Sequence, residues 1–486
     1  MLPPPNFEDD AIRPIYRQLF EHIRNCIETG VVRPGERLPP TRELAGQLGL
    51  NRTTIQSAYD LLESAGLING QVGRGSFVCS TAPPAGIDWA KLLPPLAPRN
   101  FVPDAEISFS TSRPSELLFP LEEFRLTCSE VIQSDEAQNI LQLGAPAGYA
   151  PLRRYLLERG RQEGIVREGD DILIASGCQQ AFDLLQHVLA SHGETVLIED
   201  PVYAGLRSVF GRAEAKVIGI PVGPGGIEVD EVERVLAREK ARMLVVTPSF
   251  QNPTGTTLPL EQRRRLLQVV RNAGVILVEN DIYGDLVYEG SPEPTLKQLD
   301  PSGDTVLLRS CSKLAFPGLR VGWVIAPARL IAHLAEAKQS SDLHTDHLAQ
   351  AVLLRFAESG RLKAHWQKVV QAGRERLRAA LRACETHLPA GSRFTRPRGG
   401  MNLWVTLPEP LDAAELLPRA VRDGVSYTPG RHFAVGRGEP GALRLSFAQL
   451  PPEKITVGIA RLGRLFGSAL AHAREEARHD PAPALV

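Results

Sequence analysis

The stretch Ser310-Cys311-Ser312-Lys313-Leu314-Ala315-Phe316-Pro317-Gly318-Leu319-Arg320 decides the fold of most of this chain. It follows the apolar run Thr305–Leu308, which predicts a buried strand. A lysine just past a strand, flanked by small hydroxyl side chains and followed by a lone arginine, is suited to hold a phosphorylated carbonyl compound as a Schiff base. The stretch therefore predicts a ligand site at the end of a strand.

The residues around Lys313 alternate short apolar strands with amphipathic helices. The predicted strands are Asp171–Ala175, Thr195–Ile198, Met243–Val246, Val275–Val278 and Thr305–Leu308. One helix is predicted over Gln179–Leu189, and another carries Arg263 to Arg271 on its polar side. Continuous apolar strands that alternate with helices predict a parallel or mixed sheet covered on both faces. In such sheets, ligands bind beyond the carboxyl ends of the strands.

Composition limits the classes of function. The chain has 486 residues, 43% apolar and 23% charged, with a formal net charge of -1, so DNA binding would depend on a local patch. Six scattered cysteines without a CxxC pair argue against a disulfide framework or zinc site and indicate a reducing cytoplasm. We also predict no signal peptide, no membrane span and, from the histidine spacing, no metal site.

The chain is predicted to have several domains. Residues 12–79 are helical and then rich in turns, and a proline-rich linker is predicted over residues 80–105. The alternation of strands and helices occupies residues 106–473, with a smaller subdomain over roughly residues 340–473. Residues 474–486 are predicted to be a frayed tail.

The N-terminal domain has the pattern of a helix-turn-helix. Thr41–Leu50 predicts a helix ending in a glycine turn, and Asn51 can cap a second helix over Arg52–Ser64. That helix begins with Arg52, Thr53 and Thr54, a cation and two hydroxyls of the kind that contact DNA phosphates and base edges. The alternative is a small helical dimerisation module with a hairpin, since residues 1–80 hold eight arginines and nine acidic residues.

Three motifs favour DNA binding. They are PGERLPPTRELA at 34–45, NRTT at 51–54 and GRGSFV at 73–78. Together they closely resemble the GntR-family winged helix-turn-helix, an α+β fold. The resemblance implies that Arg42, Arg52, Thr54 and Gly73 contact double-stranded operator DNA. Arg74, at the tip of the predicted wing, is placed to contact a phosphate.

Polar side chains after the other predicted strands complete the Lys313 site. Pyridoxal phosphate (PLP) requires an amine for its Schiff base, which Lys313 supplies, and a carboxylate at its pyridinium nitrogen, which we assign to Asp281. Tyr283 and Asn252 can hydrogen-bond the phenolic oxygen of PLP, and Tyr203 can stack on its ring. Each residue alone is more typical of a turn or a solvated surface; their order after successive strands indicates one site.

The phosphate of PLP has its own predicted residues. Arg320, Ser310 and Ser312 offer charge and hydroxyl groups. Residues Gly177, Cys178 and Gln179 open a helix whose free N–H groups favour an anion. Cys178 could have a lowered pKa there, although a small packing residue is the simpler interpretation.

The motifs EDPVY, NPTG, DIYG and SCSKLAFPGLRVGW, at 199, 252, 281 and 310, resemble the fold-type I, aspartate aminotransferase-like PLP enzymes over about residues 106–470. The resemblance implies an α/β fold with a large mixed-sheet domain and a smaller C-terminal domain. It also implies that Arg444 binds a ligand α-carboxylate, for which a guanidinium fork is suited. Arg207 is either a second contact for an acidic group or an exposed helix charge.

One position departs from the pattern of this family. Leu143 stands where the family usually has a tyrosine whose hydroxyl reaches the PLP phosphate of the neighbouring subunit. The loss predicts weaker anchoring of the phosphate. Tyr149 is a candidate substitute, but a packing role in a helix is the simpler interpretation.

A GntR-type head joined to an aminotransferase-like body resembles the MocR and GabR types of transcriptional regulator. The resemblance implies a cytoplasmic homodimer with swapped heads, in which an amino compound with a carboxylate, or PLP itself, exchanges with the Schiff base of Lys313. Two alternatives stay open. One is an active PLP-dependent aminotransferase that retains a DNA-binding head, and the other is a DNA-binding protein whose body has lost PLP and only dimerises.

Overall fold

The computed structural model describes residues 14–71, 75–79, 105–190 and 193–479, together with residues 2–5, 7, 92 and 93. The chain divides into two compact units, Met1–Arg99 and Asn100–Val486. Gly73 and Arg74 of the predicted wing, and almost all of the predicted linker, lie outside the described residues. No described helix is long and apolar enough to cross a membrane.

The first unit contains the predicted helix-turn-helix and hairpin. Its described elements are helices Ile15–Glu28, Thr41–Leu48 and Arg52–Ser64, followed by antiparallel strands β1 (Ile68–Gln71) and β2 (Gly75–Val78). Gly49 ends the second helix with a φ of 65°, in the left-handed region that glycine adopts without strain. Asn51 caps the third helix because its side chain accepts a hydrogen bond from the Thr53 backbone N–H.

The described strands of the second unit are β3 (Ile107–Ser108), β4 (Asp170–Ala175), β5 (Thr195–Asp200), β6 (Lys216–Gly223), β7 (Gly226–Ile227), β8 (Met243–Val246), β9 (Ile276–Asn280), β10 (Val306–Ser310), β11 (Gly322–Pro327), β12 (Arg393–Phe394), β13 (Asn402–Thr406), β14 (Val425–Ser426), β15 (Thr428–Pro429) and β16 (Ala442–Ser446).

The unit is built on a mixed sheet with the strand order β4-β11-β10-β9-β8-β5-β6-β7. Strands β5, β6, β8, β9 and β10 run parallel, whereas β11 is antiparallel to both of its neighbours.

Hydrophobic clusters cover both faces of the large sheet, as the continuous apolar strands predict. Leu197 and Leu277 lie in one buried cluster, and their neighbours Val196 and Val278 lie in another. The helices of the unit are Leu121–Ile132, Ala137–Ile140, Ala150–Gln162, Cys178–Leu189, Ala204–Arg212, Val229–Leu236, Leu260–Ala273, Leu296–Leu299, Ala328–Asp342, His347–Glu358, Arg361–His387, Ala413–Arg422 and Pro452–His479, with short 3-10 turns at Glu116–Leu118, Cys311–Lys313, Pro317–Leu319 and Gly430–His432.

A smaller antiparallel sheet with the order β12-β13-β16-β15 forms the C-terminal part of the unit. Strand β14 pairs in parallel with β3, so the start of the unit is joined to its C-terminal part. The last helix, Pro452–His479, continues six residues into the predicted tail. The helix therefore does not end at Ala473, after which the tail is predicted to begin.

Arg263 is buried, although the sequence places it on the polar side of its helix. Its side chain is 0% exposed. Its guanidinium donates to the carbonyl oxygens of Leu258, Pro248 and Pro294 at 2.8, 2.9 and 3.0 Å, and to the Ser249 hydroxyl at 2.8 Å. These bonds fix the loop that follows β8, because most of the acceptors belong to that loop.

We predict that Arg263→Met lowers the free energy of unfolding by about 3 kcal/mol, since it leaves buried carbonyl oxygens without a donor. The measurement is the urea midpoint of the full chain, followed by circular dichroism. Arg264→Met is the matched control, because Arg264 is exposed and pairs only with Glu261 on its own helix. Equal midpoints for the two variants would contradict the prediction.

Candidate functional site

The head presents its predicted DNA contacts at the start of the second and third helices. Arg42, Arg52 and Thr53 are exposed, and Thr54 is half-buried. Among the described residues, no carboxylate pairs with Arg42 or Arg52. Since neither guanidinium is neutralised by its own surroundings, both are available to phosphates.

In the second unit, Lys313 lies on a cavity of about 130 Å³ at the carboxyl ends of the parallel strands. Residues that follow β5, β8, β9 and β10 meet there, together with the start of helix Cys178–Leu189. The lining residues are Cys178, Gln179, Phe182, Tyr203, Thr247, Asn252, Asn280, Ile282, Tyr283, Ser310, Ser312, Lys313 and Arg320. Eight of the predicted cofactor residues other than Lys313 are therefore brought together with it: Cys178, Gln179, Tyr203, Asn252, Tyr283, Ser310, Ser312 and Arg320.

The amine of Lys313 has a main-chain partner. Its Nζ donates to the carbonyl oxygen of Ser112 at 2.7 Å and lies 5.8 Å from the centroid of the Tyr283 ring. The Tyr283 hydroxyl is buried and has no hydrogen-bond partner among the described residues. Because an unpartnered buried hydroxyl is costly, it marks a place where a ligand atom can bond.

One end of the cavity is suited to an anion. Arg320 reaches the first turn of helix Cys178–Leu189, where its Nη2 donates to the Ser176 carbonyl at 3.2 Å. A Cβ on Gly177 would lie 2.3 Å from that nitrogen, and the φ of 80° at this position favours glycine, so glycine lets the guanidinium approach the helix start. Ser310 donates to the Ser312 hydroxyl at 2.9 Å, which places two hydroxyls beside the guanidinium.

Arg444, on β16, is buried beside the cavity. Its Nη1 donates to Asn252 Oδ1 at 2.9 Å, its Nη2 donates to the Ser110 carbonyl, and its guanidinium lies 4.7 Å from the Phe433 ring centroid. Its Nε has no partner, and no described carboxylate pairs with it. Burial lowers the pKa of Arg444 to about 10. The site thus holds a cation that lacks a counterion.

Four predicted site residues of this unit do not line the cavity: Gly177 and Arg444 lie beside it, whereas Asp281 and Arg207 have other partners. Asp281 does not line it, and its carboxylate instead pairs with Arg309 at 2.8 Å. This differs from the sequence-based placement of Asp281 at the ring nitrogen of PLP, because its carboxylate is held by Arg309. Arg207 also lies apart from the lining residues; its guanidinium donates to the Ala434 carbonyl.

Leu143 and Tyr149 do not contribute to the cavity. Leu143 is 79% exposed. The Tyr149 hydroxyl donates to Glu136 at 2.7 Å, which agrees with a packing role. Burial raises the pKa of the Cys178 thiol to about 12. This favours the packing interpretation over the lowered pKa that a position at a helix start could give.

The sequence does not point to several residues that the structure adds to the site. Thr247 and Asn280 line the cavity, and Ser110 and Ser112 bind the two cations through their carbonyls. Asn280 follows the apolar run of a predicted strand. Extending that predicted strand to its true end would have placed Asn280 at the same edge of the sheet as the other site residues. The serine carbonyls are main-chain groups and carry no sequence signal.

Two larger clefts, of about 960 and 720 Å³, are lined by neither Lys313 nor Arg444. The larger is bordered by Arg159, Asp285 and Trp366, and the other by Arg393 and Arg398. No group of three or more histidine, cysteine or acidic side chains in the described ranges could hold a metal ion.

The chain matches two protein families. Residues 115–462 match aminotransferase class I and II, and residues 15–78 match the bacterial regulatory proteins of the gntR family. The solved structure of LysN, an α-aminoadipate aminotransferase of Thermus thermophilus complexed with N-(5'-phosphopyridoxyl)-L-leucine, is 36% identical. It superposes with a TM-score of 0.70, covering 75% of this chain and 93% of that one.

Several relatives match nearly the whole chain, including the following two proteins. The uncharacterized HTH-type transcriptional regulator YdfD of Bacillus subtilis (strain 168) is 30% identical, covering 93% of this chain and 96% of its own length. The probable rhizopine catabolism regulatory protein MocR of Rhizobium meliloti is 28% identical, covering 94% of each. The chain therefore belongs to the aminotransferase class I and II family and, with its gntR-type DNA-binding domain, has the two-part organisation of the MocR-type transcriptional regulators.

Proposed function

We propose that this chain is a PLP-dependent transcriptional regulator whose body binds an amino compound with a carboxylate and whose head binds operator DNA. The aminotransferase class I and II family implies PLP, and the residues of the cavity fit it. Lys313 would hold the cofactor covalently, Tyr203 and Tyr283 would contact its ring and phenolic oxygen, and Arg320 with Ser310 would bind its phosphate. The unpartnered Tyr283 hydroxyl and the space at Gly177 support this assignment.

PLP supplies a carbon that forms a C=N bond with a primary amine and exchanges one amine for another without any oxidant. The Lys313 amine would be released in this exchange and would recover the protons that the ligand amine gives up. Its main-chain acceptor, the Ser112 carbonyl, is already within hydrogen-bond distance. The released amine therefore has a place to bind.

The observation that carries the proposal is Arg444. A buried guanidinium without a counterion is costly, and a ligand carboxylate would neutralise it by a two-pronged hydrogen-bonded pair. Arg444 also bonds Asn252, which lines the Lys313 cavity, so the two cations suit the two ends of one amino acid. We therefore infer a ligand with both an amine and a carboxylate.

Regulation would follow from the thermodynamic linkage between ligand binding in the body and DNA binding by the head. If the ligand stabilises one arrangement of a homodimer, operator affinity shifts by the same free energy. Two heads in one dimer would contact two half-sites of double-stranded DNA.

A second candidate function is amino transfer with turnover. The 36% identity to LysN, together with Lys313, Tyr283 and Arg444, supports it. Multiple-turnover transfer from a panel of amino acids to 2-oxo acids would favour this function, and its absence would favour the regulator.

We predict that Arg52→Ala weakens binding to the DNA flanking the gene by about tenfold or more, since it removes a cation from the start of the third helix. The measurement is a gel shift at fixed salt, and the visible absorption of bound PLP should stay unchanged. Arg24→Ala is the control, because Arg24 is an exposed head arginine that pairs with Glu28. A similar loss in both variants would count against the assigned interface.

We predict that Lys313→Ala removes the covalent link to PLP and the response to added amines, while DNA binding persists. The visible spectrum and gel shifts with and without an amino acid panel measure these effects. Lys216→Ala, at an exposed pair with Glu239, should behave as wild type. An unchanged amine response in Lys313→Ala would refute exchange at this residue.

We predict that Arg444→Met weakens the spectral response to α-amino acids by at least about 30-fold, because truncation of a buried charge pair costs about 2–5 kcal/mol. The response to the corresponding decarboxylated amines should change little. Titration of both ligand series measures the difference. Equal losses in the two series would show that Arg444 does not bind the carboxylate.

A further inference from the structure

The last residue of β9 is the polar side chain that faces the cavity from this strand. Asn280 lines the cavity and is only 7% exposed. Its Nδ2 donates to the Thr247 hydroxyl at 3.1 Å, and its Oδ1 has no hydrogen-bond partner among the described residues. A buried amide oxygen without a partner is rare enough to indicate that a ligand atom completes it.

The next residue, Asp281, is held on the opposite side. Arg309 donates to Asp281 Oδ2 through Nε at 2.9 Å and lies 2.8 Å from it through Nη2. The same guanidinium donates to Glu163 at 3.0 Å. The carboxylate of Asp281 is therefore committed to an internal cation.

The alternation of side chains along a strand explains this division. Asn280 ends β9 and Asp281 is the next residue, whose N–H still donates to the Leu308 carbonyl of β10 at 2.9 Å, so the two side chains point to opposite faces. Arg309 and Ser310 are consecutive at the end of β10, and Ser310 is the member that lines the cavity. Both strands thus direct Asp281 and Arg309 to one face and Asn280 and Ser310 to the other.

We propose that Asn280, and not Asp281, faces the ring nitrogen of PLP, so that the pocket gives this nitrogen an uncharged partner. The inference rests on the proposed function, because it requires PLP at Lys313. The amide is uncharged in either orientation. A neutral ring nitrogen only accepts hydrogen bonds, so it requires the flipped orientation, in which Nδ2 donates to the ring and Oδ1 accepts from the Thr247 hydroxyl.

A neutral partner at the ring nitrogen affects amino transfer more strongly than it affects the exchange of one amine for another. A carboxylate at the ring nitrogen keeps that nitrogen protonated, and the positive ring then withdraws electrons when a proton leaves the α-carbon of the ligand. An amide lacks the charge that stabilises the ring proton. Exchange of one amine for another does not remove the α-proton, so it is little affected. The pocket would therefore favour amine binding over amino transfer.

The test is a direct measurement of the ring nitrogen in the full chain loaded with PLP labelled with ¹⁵N at that position. Solid-state NMR at neutral pH would compare wild type, Asn280→Asp and Asp281→Asn. We expect a neutral nitrogen in wild type and in Asp281→Asn, and a protonated one in Asn280→Asp. In addition, a panel of L-α-amino acids should convert PLP to its amine form, with release of the 2-oxo acid, about 10²-fold faster in Asn280→Asp than in wild type.

The outcomes separate this inference from the proposed function. If wild type shows no visible band of covalently bound PLP, the proposed function fails. If PLP is bound at Lys313 but the wild-type nitrogen is protonated, or becomes neutral only in Asp281→Asn, the assignment of Asn280 is overturned. The wild-type measurement decides this even if a variant fails to fold, and gel shifts on the flanking DNA check that each variant retains a working head.

Discussion

The parallel direction of β5, β8, β9 and β10 is the constraint on which the site depends. It brings the ends of four strands, distant in sequence, to one edge of the sheet. Lys313, Tyr283 and Tyr203 share a cavity for this reason alone. A shift of one residue in any of these strands would turn its last side chain to the other face, so the register of the sheet also selects which residues meet.

Two buried arginines and one half-buried arginine show three ways to accommodate a guanidinium largely away from water. Arg263 is satisfied by carbonyl oxygens and a hydroxyl, and it thereby holds the loop after β8. Arg309 is neutralised by two carboxylates, which removes Asp281 from the cavity. Arg444 has no carboxylate partner among the described residues and an unpartnered Nε, and this incomplete pairing is what supports the proposal that it binds a ligand.

The fold class and most of the cavity could be predicted from the sequence, because both depend on local patterns. Apolar runs locate the strands, and Lys313, Asn252 and Arg320 follow these runs in the sequence. Asp281 is absent from the cavity lining and Asn280 is present, because the strand continues past the end of the apolar run at Val278 to Asn280. Side-chain direction at a strand end changes with each residue, and composition does not fix that boundary.

Long-range contacts explain the remaining differences. Arg207 and Arg263 look like surface charges in their helices, yet each bonds a main-chain carbonyl outside its own helix. The periodicity of a sequence cannot predict such a partner, because every residue has a main-chain carbonyl that could accept the hydrogen bond. The continuation of the last helix to His479 likewise exceeds what the polar sequence indicates.

The carbonyls of Ser110 and Ser112 give the site one more property. Both carbonyls belong to a single short segment. The Ser110 carbonyl accepts a hydrogen bond from Arg444, and the Ser112 carbonyl accepts one from Lys313. Under the proposed function, an amine that displaced Lys313 from PLP would free the lysine to donate to the Ser112 carbonyl, whereas a carboxylate bound to Arg444 would compete with the Ser110 carbonyl. A ligand with both groups would therefore strengthen one contact of this segment and weaken the other, which links the segment to both ends of an amino acid.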